Sequence, residues 1–118
     1  MILKITLSIV VVGILYLSLT PSDIPIVGND KISHFIAYSC LMLNAGLIVY
    51  PIRKKILFGS FLSILFGVII ELLQYYVPGR FMSIEDVYAN SVGVILGTIL
   101  TLLFGKSILN LLRLTKII

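Results

Sequence analysis

Four long apolar runs constrain the fold of this 118-residue chain more than any other feature. They span residues 2–19, 32–50, 56–77 and 87–104. The first carries only Lys4 near its start, the second only His34, the third only Glu71, and the fourth carries no charge. Each is close to the roughly 20 residues that carry a helix across a hydrocarbon core about 30 Å thick. Because backbone groups in lipid must pair within their own segment, the runs predict four transmembrane helices.

The composition excludes a water-soluble globule. The chain is 59% hydrophobic and 12% charged, whereas soluble domains carry about 25% charged residues. We therefore expect one membrane domain, residues 1–118, folded as an all-α bundle of four transmembrane helices. The net charge of +4 does not indicate a nucleic-acid partner, because basic loops in so apolar a chain report membrane orientation. The single cysteine, Cys40, forms no internal disulfide and is interpreted as a core residue.

Seven basic residues give the expected orientation. They fall at the start, at the second joint and in the tail, where no acid accompanies them: Lys4, Arg53, Lys54, Lys55, Lys106, Arg113 and Lys116. The positive-inside rule places these segments, and with them both termini, in the cytoplasm. The first run has the short basic start of a signal peptide. No small-residue cleavage pattern follows it, so we expect it to remain as a span.

The tail, "GKSILNLLRLTKII", places Lys106, Asn110 and Arg113 on one helical face. This spacing predicts a basic amphipathic segment at the C-terminus. Such a segment lies along the inner membrane surface or prolongs the fourth helix.

The remaining polar residues converge at the opposite, outer end of the predicted bundle. They start the second helix, end the third, start the fourth and occupy the last loop: Asp30, Lys31, His34, Tyr38, Glu71, Gln74, Arg80, Asp86 and Asn90. Ionised groups in a membrane are costly and are expected to face one another. We expect Glu71 to meet Arg80, Lys31 or His34.

Small residues indicate how the helices approach. Gly59, Ser63, Gly67 and Glu71 repeat every fourth residue on the third helix, and Asn90, Gly93 and Gly97 form another stripe on the fourth. Small residues allow close helix contacts in lipid. Because a short loop joins these two helices, we expect their small faces to meet.

Three of the polar residues are candidates for acid–base chemistry. Histidine is a common general acid or base, which makes His34 a candidate, and Glu71 and Asp86 are the carboxylates predicted near it. Each has a structural alternative: His34 as a bridge between helices, Glu71 as half of an ion pair, and Asp86 in the first turn of the fourth helix, where Ser83 would be the N-cap. Whether the protein is an enzyme stays open at this point.

The other polar residues are candidates for ligand binding. Arg80 and Lys31 suit a lipid phosphate, because Arg meets an anion with a bidentate fork. The remaining candidates are Asp30, Tyr38, Gln74 and Asn90. One histidine with scattered acids does not predict a metal site, and no glycine-rich loop predicts a nucleotide, so we expect no metal and no cofactor.

At this point the order of motifs resembles a known family. The stretches "DKISHFIAY", "ELLQYYVPGRFMSIEDVYAN" and "SVGVILG" are similar to the VanZ-like family of small bacterial membrane proteins, from about residue 15 to about residue 104. The matching positions are Asp30, Lys31, His34, Tyr38, Glu71, Gln74, Arg80, Ser83, Asp86, Asn90, Gly93 and Gly97. The family takes its name from a protein that raises resistance to teicoplanin, a lipoglycopeptide. The resemblance implies action at the outer leaflet or the cell wall.

Three classes of function remain. The first is a site that binds or modifies an outer-leaflet amphiphile: a membrane lipid, a lipid-linked cell-wall precursor or a lipoglycopeptide. The second is a structural or adaptor protein whose polar cluster only holds the helices together. The third is a small transporter, which the apolar inner half of the predicted bundle disfavours.

Overall fold

The computed structural model describes residues 1–21 and 30–118, with the side chain of Asp30 outside that description. It contains four helices: α1 (Ile2–Leu19), α2 (Asp30–Val49), α3 (Arg53–Gln74) and α4 (Ile84–Leu114). Within these described ranges there is no strand. The prediction of an all-helical chain is therefore confirmed.

All four helices are long and apolar enough to cross a membrane. Their mean hydropathies are 2.3, 1.7, 2.4 and 2.0 in chain order. Ile14 is the only buried residue of α1, and about half of the apolar side chains of this helix are exposed. The longest dimension of the molecule is 45 Å, close to the 40–45 Å of a bilayer with its headgroup regions. These features are consistent with a multi-pass membrane protein.

The closest packing is between α2 and α4, along glycines of α4. A Cβ at Gly93 would lie 2.5 Å from the carbonyl oxygen of Phe35, and one at Gly97 would lie 2.7 Å from that of Ser39. The prediction that this stripe faces α3 is therefore wrong for Gly93 and Gly97, whereas Asn90 of the same stripe does lie against Gly67 of α3. A glycine stripe shows that one face meets a neighbour closely, but nothing in it names the neighbour.

The small residues of α3 face the interior of the bundle. Ser63 and Gly67 are buried, and a Cβ at Gly67 would lie 3.1 Å from the Tyr38 ring and 3.3 Å from Cβ of Asn90. Tyr38 and Met42 of α2 belong to the hydrophobic core that fills this space. The three helices α2, α3 and α4 thus pack around Tyr38 and Met42.

The first helix is peripheral. Among the described residues, α1 contacts α2 and α3 but not α4. In its N-terminal half, Oγ1 of Thr6 accepts a hydrogen bond from Nδ2 of Asn44 over 2.6 Å. Cys40, expected in the core, is instead exposed, because its position on α2 is on the side where α1 packs loosely.

One end of the bundle carries the seven basic residues of the N-terminus, the α2–α3 turn and the C-terminal tail. The turn between α2 and α3 contains a cis peptide bond between Tyr50 and Pro51, and a Cβ at Gly105 would lie 2.7 Å from the Tyr50 ring. From there α4 continues to Leu114, ten residues beyond its predicted end. The tail therefore prolongs the fourth helix, one of the two arrangements that its sequence allows.

Candidate functional site

The predicted site residues gather at the end of the bundle opposite the basic residues. This polar end combines the C-termini of α1 and α3 with the N-termini of α2 and α4. Antiparallel packing of consecutive helices brings these four termini together, as their order in the sequence predicts. The side chain of Asp30, also predicted to belong here, lies outside the described part of the chain.

His34 joins α2 to α4. Its Nδ1 is 2.9 Å from Oδ1 of Asn90, and its Nε2 is 4.0 Å from Oδ2 of Asp86. Asn90 is fully buried and Asp86 nearly so, whereas His34 is partly exposed. With Nδ1 donating to Asn90, a protonated imidazole would also direct an N–H toward the Asp86 carboxylate. Both ring nitrogens of His34 thus face α4.

Glu71 and Ser83 together cap the N-terminus of α4. Ser83 is the N-cap, as predicted, and its Oγ accepts from the backbone N–H of Asp86 over 3.4 Å. The backbone N–H of Ser83 donates to Oε1 of Glu71 over 2.9 Å. In a capping box, the acid three residues after the cap usually accepts that second bond. Here the buried Glu71 of α3 accepts it, and the Asp86 carboxylate faces His34 instead.

Gln74 and Arg80 hold the C-terminal end of α1. Nε2 of Gln74 donates to the carbonyl oxygen of Ser18 over 2.9 Å, and Nε of Arg80 donates to that of Thr20 over 3.0 Å. The last carbonyls of a helix have no partner within it and need donors from elsewhere. Ser18 and Thr20 were not predicted, because a backbone acceptor leaves no signal in residue identity.

Lys31 lies at the edge of the site. Its Nζ is 2.9 Å from Oε2 of Glu85, and both side chains are exposed. An exposed pair of this kind contributes little to stability. Glu85 was not predicted as a site residue, although an acid and a base at the starts of two helices on one side of the membrane could have indicated the pair.

Tyr38 and Asn90 form the buried floor of the polar end. Each is 1% exposed, and they meet above Gly67. Within the described residues, the Tyr38 hydroxyl and Nδ2 of Asn90 have no hydrogen-bond partner. Asn90 belongs to the packing between the helices, whereas Tyr38 also borders the cavity described next.

A cavity of about 460 Å³ opens between α1 and α2 beside these residues. One end of its lining is polar, with His34, Gln74 and Arg80. The rest is mainly apolar and comes from the facing sides of the two helices: Val10, Gly13, Ile14, Leu17, Ala37 and Cys40. The site therefore adjoins a space with one polar and one apolar end, which is the shape of an amphiphile.

The predicted candidates separate into two groups around this cavity. His34, Tyr38, Gln74 and Arg80 line it, together with Ser18 and Ser33. Glu71, Asp86 and Asn90 do not line it, and neither does Lys31. Among the residues that the structure describes, no three His, Cys, Asp or Glu side chains form a group suited to a metal ion.

Comparison with known proteins identifies the family. The VanZ/LLP1 family model matches residues 6–105, which covers most of the 118 residues and includes the whole polar end. The chain therefore belongs to the VanZ/LLP1 family. A search of curated proteins and a search of solved structures gave no match.

Proposed function

We propose that this VanZ/LLP1-family protein binds an anionic amphiphile at its polar end, without performing chemistry on it. The observation that carries the proposal is the cavity between α1 and α2, whose lining changes from apolar side chains to Arg80. A ligand with a charged head and a hydrocarbon body matches that order of surfaces.

The charge of the lining selects an anion. Among the described residues that line the cavity, Arg80 is the only permanently charged one and none is an acid. Its guanidinium carries five N–H donors, of which only Nε–H forms a hydrogen bond within the described residues. The remaining donors suit the paired oxygens of a phosphate or carboxylate.

The orientation of the acidic residues favours binding over catalysis. Glu71 caps α4 through Ser83, and Asp86 faces His34 rather than the cavity. A general acid or base must reach the reacting group directly or through one water. We therefore assign Glu71 and Asp86 to positioning the helices. His34 lines the cavity, but both of its ring nitrogens face α4, so we assign it the same role and place Arg80 and Gln74 closest to the ligand.

The charge pattern suggests the cellular setting. The basic end, which contains Arg53 and Lys106, would face the cytoplasm by the positive-inside rule. Both termini would then be cytoplasmic, and the polar end would lie at the outer leaflet of a bacterial membrane. Ligands available there include phospholipids, lipid-linked cell-wall precursors and lipoglycopeptides such as teicoplanin.

Retention of lipid by Arg80 variants tests the proposal. Wild type, Arg80→Gln and Arg53→Gln would be purified in detergent, and their bound lipids quantified by mass spectrometry. A hydrogen bond to a charged group is worth about 1.5–3 kcal/mol, so Arg80→Gln should retain roughly 10- to 100-fold less anionic lipid. Arg53→Gln changes an exposed arginine at the basic end and should retain the wild-type amount. Equal retention by all three proteins would refute the proposal.

A structural role is the second candidate, and the polar contacts themselves favour it. His34 joins α2 to α4, Glu71 joins α3 to α4, and Gln74 joins α3 to α1. If the cluster only holds helices, Arg80→Gln should lower the unfolding temperature and the membrane abundance along with lipid retention. Binding predicts lost lipid at unchanged abundance. Teicoplanin susceptibility of a Gram-positive host expressing the same variants would report the cellular effect.

A further inference from the structure

The apolar part of the cavity follows α1 and α2 inward from the polar end. On α1 its lining runs from Leu17 to Val10, a rise of about 10 Å along a helix. On α2 it runs inward to Cys40, which is exposed. The exposed residues along its border, Leu17 and Cys40, show that the cavity communicates with the surroundings of the protein.

Gly13 lines this space and adds no side chain to it. A Cβ at Gly13 would meet no atom within 4 Å. By contrast, a Cβ at Gly46, Gly93, Gly97 or Gly105 would come within 2.8 Å of a neighbouring helix or side chain. Those glycines permit close helix contacts, whereas Gly13 leaves an open wall. No close helix contact therefore requires glycine at this position, and a larger side chain there has room to reach into the cavity that Gly13 lines.

We propose that this apolar slot holds one acyl chain of an anionic phospholipid, whose phosphate is bound at Arg80. The inference rests on the proposed function and adds the part of the ligand that lies below the head. The bilayer presents phospholipid chains at this depth, and an aqueous filling is disfavoured because the walls of the slot offer few polar partners. Gly13 is the residue that admits the chain.

The slot contributes fit and alignment, because a chain that leaves lipid for protein gains no hydrophobic free energy. A phospholipid whose phosphate is bound at Arg80 has to place its chain beside Gly13, so it binds only when the slot is open. A bulky side chain at Gly13 should therefore exclude long-chain ligands and leave short-chain anions unaffected. This selectivity distinguishes a chain slot from a simple anion site.

The test compares two phosphate probes in detergent-solubilised protein. Hexadecyl phosphate carries a chain long enough to fill the slot, and butyl phosphate carries almost none. Calorimetric titration of Gly13→Phe should show at least a tenfold weaker affinity for hexadecyl phosphate and an unchanged affinity for butyl phosphate. Val12→Phe is the matched control. It places the same ring on the residue before Gly13, which is exposed and does not line the slot. It should bind both probes as the wild type does.

The outcomes separate the slot from the anion site. Gly13→Phe with wild-type affinity for hexadecyl phosphate would overturn the slot, as would equal losses for both probes. The unfolding temperatures of Gly13→Phe, Gly13→Leu and Val12→Phe show whether a loss of affinity comes from a loss of folding. An Arg80→Gln variant with wild-type affinity for both phosphates would overturn the proposed function. A wild type that binds neither probe would overturn both proposals.

Discussion

Replacement of Gly97 by alanine tests whether the close contact between α2 and α4 stabilises the protein and holds the polar end together. A Cβ at this position would lie 2.7 Å from the carbonyl oxygen of Ser39 and 2.8 Å from Cβ of Met42. Two of the three nearest atoms are backbone atoms of α2, which cannot move aside as a flexible side chain would. The helices must therefore separate to admit the methyl group.

The required separation can be read from the distances. Ordinary van der Waals contact begins at 3.4 Å, so the carbonyl of Ser39 must move by about 0.7 Å. Forced insertion into a packed interface costs about 1–3 kcal/mol. The preference of helices for alanine offsets little of this, because transmembrane helices stay helical when a bundle comes apart. We therefore expect Gly97→Ala to lower the free energy of unfolding by about 1–3 kcal/mol.

The same movement should reach the polar end. Asn90 lies two turns before Gly97 on α4, and its Oδ1 is 2.9 Å from Nδ1 of His34. A separation of about 0.7 Å lengthens this contact to about 3.6 Å, beyond the range of a hydrogen bond. Gly97→Ala should thus loosen the His34 contact without changing any polar residue.

Titration with sodium dodecyl sulfate in mixed micelles measures the unfolding free energy. Gly13→Ala is the matched control, because it adds the same methyl group to a helical glycine that has no atom within 4 Å. It should leave the unfolding free energy unchanged. If Gly97→Ala proves as stable as the wild type, or if Gly13→Ala loses as much, the assignment of the close contact to α2 and α4 is refuted.

Two further predictions concern single hydrogen bonds. Ser83→Ala removes the cap of α4 and should lower the free energy of unfolding by about 1 kcal/mol. Ser83→Asn should keep most of the wild-type free energy of unfolding in the same titration. Thr6→Val removes the acceptor of Nδ2 of Asn44 and should lower the free energy of unfolding by about 0.6 kcal/mol. Adding Asn44→Leu to Thr6→Val should restore stability, because an apolar pair leaves no buried donor unmade.

Much of the fold follows from the lengths and depths of the apolar runs. A segment of about 20 apolar residues has few alternatives to a membrane-spanning helix, and consecutive spans alternate in direction. The convergence of His34, Glu71 and Asp86 at one end therefore follows from their depths alone. The pairing of the helices does not follow, because the glycines of α4 predict a close contact but not the helix that makes it. Gly93 and Gly97 consequently met α2 in the structure where α3 had been expected.

The contacts of the site were less predictable than its place. The bonds from Gln74 and Arg80 end on carbonyl oxygens of α1, and every residue type carries such an acceptor. The exchange by which Glu71 accepts from Ser83 while Asp86 faces His34 depends on the approach of α3 to the start of α4. The cavity likewise results from the loose packing of α1, and Gly13 alone gave no sign of it.

The hydrogen-bond donors of the polar end differ between the residues that hold helices together and Arg80, which we propose binds the ligand. His34 has one ring nitrogen against Asn90 and the other toward Asp86, so its hydrogen-bonding capacity is directed into the bundle. Arg80 follows Gly79, whose positive φ of 79° sets the turn, and within the described residues it uses one of its five donors on the protein. If Arg80 only held helices together, its other N–H donors beside the apolar slot would have no role. Loss of His34 should therefore affect folding first, and loss of Arg80 should affect the ligand first.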